Sequence, residues 1–338
     1  MEVNNMKKLR LLTLVILLAV FVCSAVACDL SISHVYSVEY SFDEAEHWFA
    51  CLSDSCDSRK SVEAHDLTDA VVVIEDGIAY NYYECTVCDY DTMVEIDGSV
   101  VVTTGDALKA ALSSEEENVL IFLGSDVAVD IGTYWNMGGA NTESITIDGL
   151  GYKLTLSSTY RSYFNLANAD GVLNLKNMTL TNAHRGTHFF DYTTHFNCDV
   201  VADNVVFEKT PLITSGDTAV FNDCKFTQTG ADIYGLWVMS GADVTVNGGE
   251  FTTDRGIKIA DEDSAHELTV LNVSDTKFDT NKKAAILVTT NYGAEITVNN
   301  LDITNCAADS ENEVWIDDGR TATADLITVI GGNVIIEP

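Results

Sequence analysis

Six cysteine and histidine side chains in the N-terminal third of the chain could hold a metal ion. They are His47, Cys51, Cys56, His65, Cys85 and Cys88. The cysteines form one C-x4-C pair and one C-x2-C pair, and each spacing allows a tight turn to present two thiolates. Two such pairs are a common way to surround zinc tetrahedrally. We therefore predict structural zinc bound by the four cysteines, with His65 and His47 as alternative ligands.

Two disulfide bonds are the alternative for the same cysteines, because other features of the chain indicate export to an oxidising compartment. Neither interpretation suggests catalysis at these residues. A zinc ion closed by four protein ligands has no open position for water. The metal would instead stabilise a segment that lacks a core of its own.

The order H-W-x-x-C, C, A-H and Y-x-C-T-V-C-x-Y resembles a small cysteine and histidine module of secreted and cell-surface proteins from gut Gram-positive bacteria. The resemblance covers roughly residues 40–96. It is carried by His47, Trp48, Cys51, Cys56, Ala64, His65, Tyr83, Cys85, Thr86, Val87 and Cys88. The spacer of the first cysteine pair is longer than in that family, and Asp57 and Asp89 replace its usual glycines. The resemblance implies a small zinc-ribbon-like module, which we assign to residues 28–97.

Repeats dominate the rest of the chain. The last inward apolar residue of each repeat recurs at intervals of 26, 27, 19, 25, 27, 25 and 31 residues. These residues are Leu154, Leu180, Phe207, Phe226, Phe251, Phe278, Ile303 and Val334. Three positions before each of them stands Gly, Asn or Asp, at Gly151, Asn177, Asn204, Asp223, Gly248, Asp275, Asn300 and Gly331. These residue types tolerate left-handed backbone angles, so the pattern predicts a sharp corner at one place in every repeat.

The strand before each corner alternates apolar and polar residues, as in Leu173 and Leu175 or Val244 and Val246. Another strand precedes this one in the later repeats. Each coil of about 25 residues then contains three strands. We predict an all-β fold: a right-handed, single-stranded parallel β-helix over residues 98–338. A short amphipathic helix at about residues 105–114, capped by Thr104 or Asp106, should cover its N-terminal end. This pattern resembles the pectate-lyase-like superfamily over roughly residues 99–338.

That superfamily usually places its ligand or catalytic groups at the outward residue of the first strand in each coil. Here this column reads Asn165, Trp237, Lys258, Leu287 and Trp315. An exposed Trp is suited to sugar stacking, so Trp237, Lys258 and Trp315 are our glycan-binding candidates. The alternative is that a neighbouring loop covers them.

A polysaccharide lyase or glycosidase is the alternative function for the surface around Lys258. In that case Lys258 or Arg255 would remove the proton next to a uronate carboxylate, while Asp261 and Asp263 would hold calcium. Ordinary surface ion pairing by the same residues is the other interpretation.

The N-terminus has the pattern of a secretory signal peptide over residues 1–27. Lys7, Lys8 and Arg10 precede a short apolar run, and small residues stand before Cys28. Cys28 would be the first residue of the mature chain, and a lipid anchor on its thiol is as compatible with the pattern as free secretion. We expect an extracellular or cell-surface location, with any membrane attachment through Cys28 alone.

The formal net charge of −34 disfavours nucleic acid and anionic membranes as partners. We therefore expect a secreted or surface-anchored, non-catalytic bacterial β-helix protein, adhesin-like or glycan-binding, whose partner is an extracellular glycan or a host surface ligand. A passive structural segment is a third possibility.

Overall fold

The computed structural model describes residues 34–130, 134–157, 162–183, 193–214, 216–228, 233–239, 241–260, 269–280, 284–289, 298–299, 307–308, 312–317 and 334–337. The predicted signal peptide and Cys28 lie outside these ranges. Internal contacts divide the chain into two compact units. The first is Met1–Thr68 with Glu84–Asp91, and the second is Asp69–Tyr83 with Thr92–Pro338. The boundary expected between residues 97 and 98 stays a prediction.

The first unit contains a three-stranded antiparallel sheet. Its strands are β1 (Tyr36–Phe42), β2 (Glu46–Cys51) and β3 (Arg59–Ala64), in the order β1-β2-β3. Phe42 pairs with His47 at one end of β2, and Tyr36 pairs with Cys51 at the other end. The two ends of β2 therefore carry different potential metal ligands.

The second unit begins with a smaller sheet and a helix. The sheet consists of β4 (Val71–Glu75), β5 (Ile78–Glu84) and β6 (Asp91–Glu95). Helix α1 spans Gly105–Leu112, where residues 105–114 were predicted, and buries Leu108 and Leu112 in the apolar core. Its N-cap is Thr104, whose Oγ1 accepts a hydrogen bond from the Ala107 N–H at 3.2 Å. The described part of the chain contains no helix with the length and hydropathy to cross a bilayer.

Two large parallel sheets form most of the second unit. The nine-stranded sheet has the order β10 (Tyr134–Met137), β13 (Ser162–Leu166), β15 (Thr193–Asn197), β17 (Thr210–Ile213), β20 (Tyr234–Met239), β23 (Arg255–Ala260), β26 (Ala284–Thr289), β29 (Asn312–Asp317) and β30 (Val334–Glu337). The main path of the fifteen-stranded sheet has the order β27 (Val298–Asn299), β24 (Thr269–Ser274), β21 (Asp243–Asn247), β18 (Thr218–Asn222), β16 (Asp199–Phe207), β14 (Val172–Asn182), β11 (Ser144–Asp148), β8 (Asn118–Leu123) and β7 (Ser99–Val102).

A second row of short strands continues this larger sheet beyond the corner of each repeat. The row comprises β9 (Val127–Asp130), β12 (Lys153–Ser157), β19 (Lys225–Phe226), β22 (Glu250–Thr253), β25 (Lys277–Thr280) and β28 (Ala307–Ala308). The long strands β14 and β16 belong to both rows, because each runs through the corner. The chain passes repeatedly from one large sheet to the other and pairs in parallel with its previous pass. Over its described residues the second unit is therefore all-β except for α1, with long parallel sheets compatible with a parallel β-helix.

The predicted corners are confirmed wherever the structure describes them. Asn177, Asn204, Asp223 and Asp275 have φ values of 48°, 54°, 51° and 51°, and the glycine corners at 151 and 248 are left-handed as well. The corner positions Asn300 and Gly331 lie outside the described residues. An Asn side chain also bonds between coils, since Asn204 Nδ2 donates to Asn177 Oδ1 at 3.0 Å.

The core lies between the large sheets and is built from the predicted inward columns as far as Phe278. Beyond Phe278 the predicted register is wrong: Phe278 pairs with Ala308 where the pattern placed Ile303, and Val334 pairs with Val314 in the nine-stranded sheet. A continuous row of phenylalanine rings runs through four coils, with Phe207, Phe226, Phe251 and Phe278 stacked at centroid distances of 5.3, 4.2 and 4.8 Å. All four are buried, as the repeat pattern predicts. Gly235 permits this arrangement, because a β-carbon there would stand 2.5 Å from Phe251 Cδ1.

Candidate metal centre

Four donor side chains of the first unit converge on one point. They are His47, His65, Cys85 and Cys88, and their donor atoms all lie within 4.8 Å of one another. His47 comes from β2, and His65 follows the end of β3. The cysteines come from the turn after β5, where the Cys85 N–H donates to the Tyr90 carbonyl at 2.8 Å. An isolated bridge between Leu67 and Cys85 holds this turn beside the segment that carries His65.

The spacing of these donors fits a tetrahedral metal ion. Cys88 Sγ lies 3.5 Å from His65 Nδ1, and Cys85 Sγ lies 3.9 Å from His47 Nδ1. Zinc bonds of about 2.3 Å to sulfur and about 2.0 Å to nitrogen, at tetrahedral angles, place unlike donors roughly 3.6 Å apart. The side chains therefore stand near the positions that a bound ion would require.

His65 is oriented by groups outside the donor cluster. Its Nε2–H donates to the Asp43 carbonyl oxygen at 2.8 Å, which leaves the Nδ1 lone pair for a metal. Its ring stacks on Tyr90 with centroids 4.0 Å apart and planes 9° from parallel. A hydrogen bond behind a histidine ligand fixes both its tautomer and its ring plane.

His47 is held by packing rather than by a hydrogen bond to Nε2. Its Nδ1 faces Cys85, and its Nε2 lies 4.0 Å from a carboxylate oxygen of Glu63. The ring meets the edge of Tyr40 at a centroid distance of 4.7 Å and is almost completely buried. Both imidazoles therefore present Nδ1 to the thiols, but only His65 has a hydrogen-bond acceptor for Nε2, since His47 Nε2 is buried without a hydrogen-bond partner.

The surroundings of Cys85 favour the thiolate form of its side chain. Burial raises its pKa, but hydrogen bonds from the backbone N–H groups of Val87 and Cys88 and from the His65 ring lower it to about 6. Burial and the neighbouring Cys85 raise the pKa of Cys88. Because zinc binds thiolates, one ligand of the group would be deprotonated near neutral pH even before the metal arrives.

The structure divides the four cysteines that we expected to hold one ion. Cys51 and Cys56 form a disulfide and contact His34, whereas Cys85 and Cys88 group with the two histidines proposed as alternative ligands. The direction of β2 explains this difference. Cys51 stands four residues beyond His47, about 13 Å along an extended strand, so the two residues reach opposite ends of the sheet. The alternative prediction of disulfide bonds is thus confirmed for one cysteine pair, Cys51 and Cys56.

A pocket of about 490 Å³ opens on the same unit and was not anticipated from the sequence. Its lining combines aromatic, polar and cationic groups: His34, Tyr36, Ser37, Val38, Phe49 and Lys60. Lys60 Nζ lies 5.7 Å from the centroid of the Tyr36 ring. The alternation of side chains between the two faces of β1 and β2 was a possible sequence signal for this pocket. The pairing of these two strands, however, was not predicted.

The glycan-binding candidates of the second unit differ in the structure from the exposed residues that we expected. Trp237 was expected to be outward and exposed, but its side chain is only 1% exposed. It packs with Leu212, Ala260 and the partly buried Met239 in a small apolar cluster separate from the main core. The expected sugar-stacking face of Trp237 is therefore covered, by side chains of neighbouring strands rather than by the loop that the alternative proposed. Trp315 lies in β29 in register with Leu287, and its side-chain environment is outside the described part of the chain.

Lys258 and Arg255 lie beside the same aromatic cluster. Lys258 Nζ is 4.0 Å from the Trp237 ring centroid, and Arg255 Nη1 donates to the Tyr234 hydroxyl at 3.1 Å. Trp237, Lys258, Leu287 and Trp315 are aligned across neighbouring strands as predicted, whereas Asn165 belongs to another column, opposite Asn197. The proposed calcium ligands Asp261 and Asp263 lie outside the described residues.

Comparison with protein-family models, curated proteins and solved structures gave no match.

Proposed function

We propose that this chain is a non-catalytic extracellular binding protein, in which a zinc-ribbon-like module precedes a right-handed parallel β-helix of the pectate-lyase-like type. The group formed by His47, His65, Cys85 and Cys88 carries the proposal. Four protein donors at tetrahedral spacing suit a structural ion, because they leave no coordination position for a reacting water. Two thiolates and two imidazoles are a donor set typical of zinc.

The first unit has a clear physical need for such an ion. Of its described residues, only His47 and Cys85 are buried, and both belong to the candidate centre. A sheet of three short strands with so little buried apolar surface is marginal in water. Zinc bound by four side chains from three separate segments would supply the missing cohesion.

The proposed β-helix rests on the second unit. The described corners with a left-handed residue, the inward apolar columns and the parallel pairing of each pass with the previous one all suit that fold. A right-handed coil is proposed because about 98% of connections between parallel strands are right-handed. Helix α1 would cover the N-terminal end of this coil.

Export is supported by the first unit and by the sequence before it. The Cys51–Cys56 disulfide is typical of proteins in oxidising compartments, and residues 1–27 have the pattern of a signal peptide. We propose a secreted or surface-attached protein, with Cys28 as the candidate lipid attachment point.

The pocket of the first unit is the proposed ligand site. Tyr36 and Phe49 offer aromatic faces suited to the apolar side of a sugar ring. Lys60 and His34 add cationic or hydrogen-bonding groups on an otherwise strongly acidic protein. We propose a terminal sugar with one carboxylate as the ligand class, because an extended polyanion would be repelled by the net charge of −34.

Metal analysis of the purified full-length mature chain tests the structural part of the proposal. We expect about one zinc per chain, held through the four side chains of the candidate centre. Cys88→Ser and His65→Ala should lose this zinc, whereas Cys224→Ser, which alters a buried thiol of the second unit, should retain it. Zinc that persists in both ligand variants would refute the site.

Glycan-array binding tests the ligand site. Lys60→Ala should weaken binding to acidic glycans by at least about tenfold, the value of a charge-assisted hydrogen bond. Lys225→Ala removes an exposed lysine of the second unit and should leave binding unchanged. Equal losses in the two variants would show a general charge effect, and array binding that neither variant alters would place the ligand elsewhere.

A further inference from the structure

A second group of potential metal ligands lies at the opposite end of β2 from His47. It consists of His34, Cys51 and Cys56. His34 Nδ1 lies 3.1 Å from Cys56 Sγ and 3.6 Å from Cys51 Sγ. The sulfurs are joined in the structure, so the group as it stands is a disulfide with an imidazole beside it.

Backbone pairing sets this geometry. The Leu52 N–H donates to the Val35 carbonyl at 2.7 Å, which brings the segment before β1 against the end of β2. The Cys56 N–H donates to the Ser53 carbonyl at 3.1 Å and closes a tight turn, in which Ser55 has a φ of 62°. The turn returns Cys56 to Cys51, and His34 reaches both sulfurs because it immediately precedes the paired segment.

We propose that reduction of this disulfide creates a second zinc site, formed by Cys51, Cys56 and His34. Cleavage of the S–S bond requires two electrons and two protons, which a thiol-class reductant supplies as it becomes a disulfide itself. The products are two thiols, and zinc binding releases their protons to solvent. The imidazole is the third donor, since His34 Nδ1 already faces both sulfurs.

This second site differs chemically from the first. Three protein donors leave one tetrahedral position for water or an external ligand, whereas the His47 group is closed by four. His34 also lines the pocket that contains Tyr36 and Lys60, so the open position would lie at the edge of that pocket. The inference does not depend on the glycan proposal, because it concerns metal binding alone.

The test is a cobalt(II) titration of the full mature chain after metal removal, performed without oxygen. One sample is left oxidised, and the other is treated with a phosphine, which reduces the disulfide with one water to give phosphine oxide and two thiols. We expect one tightly bound equivalent in the oxidised chain and two in the reduced chain. The second equivalent should bring additional sulfur-to-cobalt charge-transfer absorption.

Variants assign each equivalent. Cys51→Ser with Cys56→Ser, or His34→Ala alone, should remove the second equivalent and preserve the first. His65→Ala should remove the first equivalent and preserve the second, so that failure of one site can be told from failure of the other. The first equivalent and the circular dichroism spectrum report whether each variant is folded. A reduced chain that binds only one equivalent, or a second equivalent that survives the cysteine substitutions, overturns the inference.

Discussion

The imidazole of His65 illustrates how single residues prepare the candidate centre. Its two nitrogens have different partners, with Nδ1 near Cys88 Sγ and Nε2–H bonded to the Asp43 carbonyl, while Tyr90 fixes the plane of the ring. A ligand held on three sides loses little further freedom when a metal binds. At the residue scale, the site thus depends on neighbours of the ligands as much as on the ligands.

Thiol reactivity should distinguish the cysteines of the two units. Burial raises the pKa of Cys198 and Cys224 to about 12, whereas that of Cys85 is about 6. Since the thiolate is the reactive form, iodoacetamide at pH 7.5 should modify Cys85 in the metal-free chain and leave Cys198 and Cys224 unmodified. Lowering the pH below about 6 should slow the reaction of Cys85, and zinc should block it.

Peptide mass spectrometry of timed samples measures these rates. Denatured protein, in which all thiols should react, is the control for peptide recovery. Modification of Cys224 in the folded chain as fast as Cys85 would contradict the assigned difference in thiol pKa.

The membership of the candidate centre could be predicted only in part. The C-x2-C spacing identified Cys85 and Cys88, because a local turn is enough to bring two such thiols together. The choice of His47 over Cys51 depends on the direction and pairing of β2, which residue types alone do not specify. His34 carried no sequence signal, since its contact with the cysteines arises from pairing between segments 17 residues apart.

At the scale of elements, polar side chains connect consecutive coils of the second unit at and beside their corners. Asn204 donates to Asn177, and Asn177 Nδ2 lies 3.2 Å from both carboxylate oxygens of Asp148. A parallel row passes from Asn247 to Asn222 and then to Asp203, over distances of 3.0 and 2.6 Å. In each row the amide donates toward the earlier coil, and a carboxylate, which only accepts, receives the last bond.

Two substitutions of Asn177 separate its contributions. Asn177→Gly keeps the left-handed corner but removes the side-chain bonds, and should lower the free energy of unfolding by about 1 kcal/mol. Asn177→Ala also removes the side-chain bonds but keeps a β-carbon at a φ of 48°, and should cost about 1 kcal/mol more than Asn177→Gly. Urea denaturation measures both. Equal stability of the two variants would argue against a required left-handed corner.

These corners were the most predictable feature of the fold, and the reason is local. A left-handed backbone restricts the residue type at its own position, so Gly, Asn and Asp mark it directly in the sequence. The environment of Trp237 was less predictable. Strand alternation separated it from the main core, but its burial depends on Leu212 and Ala260, which come from neighbouring strands.

At the scale of the whole molecule, the two units have different sources of stability. The second has an extended apolar core with a row of stacked phenylalanine rings, whereas the first buries two potential metal ligands among its described residues. We therefore expect the second unit to depend on packing and the first to depend on its ion and disulfide.

The phenylalanine row gives a direct test of the packing. Phe251→Ala removes a ring stacked 4.2 Å from Phe226 and should lower the free energy of unfolding by about 3–5 kcal/mol, through the cavity that it leaves. Thr252→Ala, at an exposed position of the same strand, should change it by no more than about 0.5 kcal/mol. Similar melting temperatures for Phe251→Ala and the unaltered chain would contradict the core described here.

X-ray absorption spectroscopy at the zinc edge, on the full mature chain with its disulfide intact, measures the ligand set directly. We expect two sulfur ligands at about 2.3 Å and two nitrogen ligands at about 2.0 Å, from Cys85, Cys88, His47 and His65. A shell of four sulfurs would contradict this expectation, because Cys51 and Cys56 would then have to bind the same ion as Cys85 and Cys88.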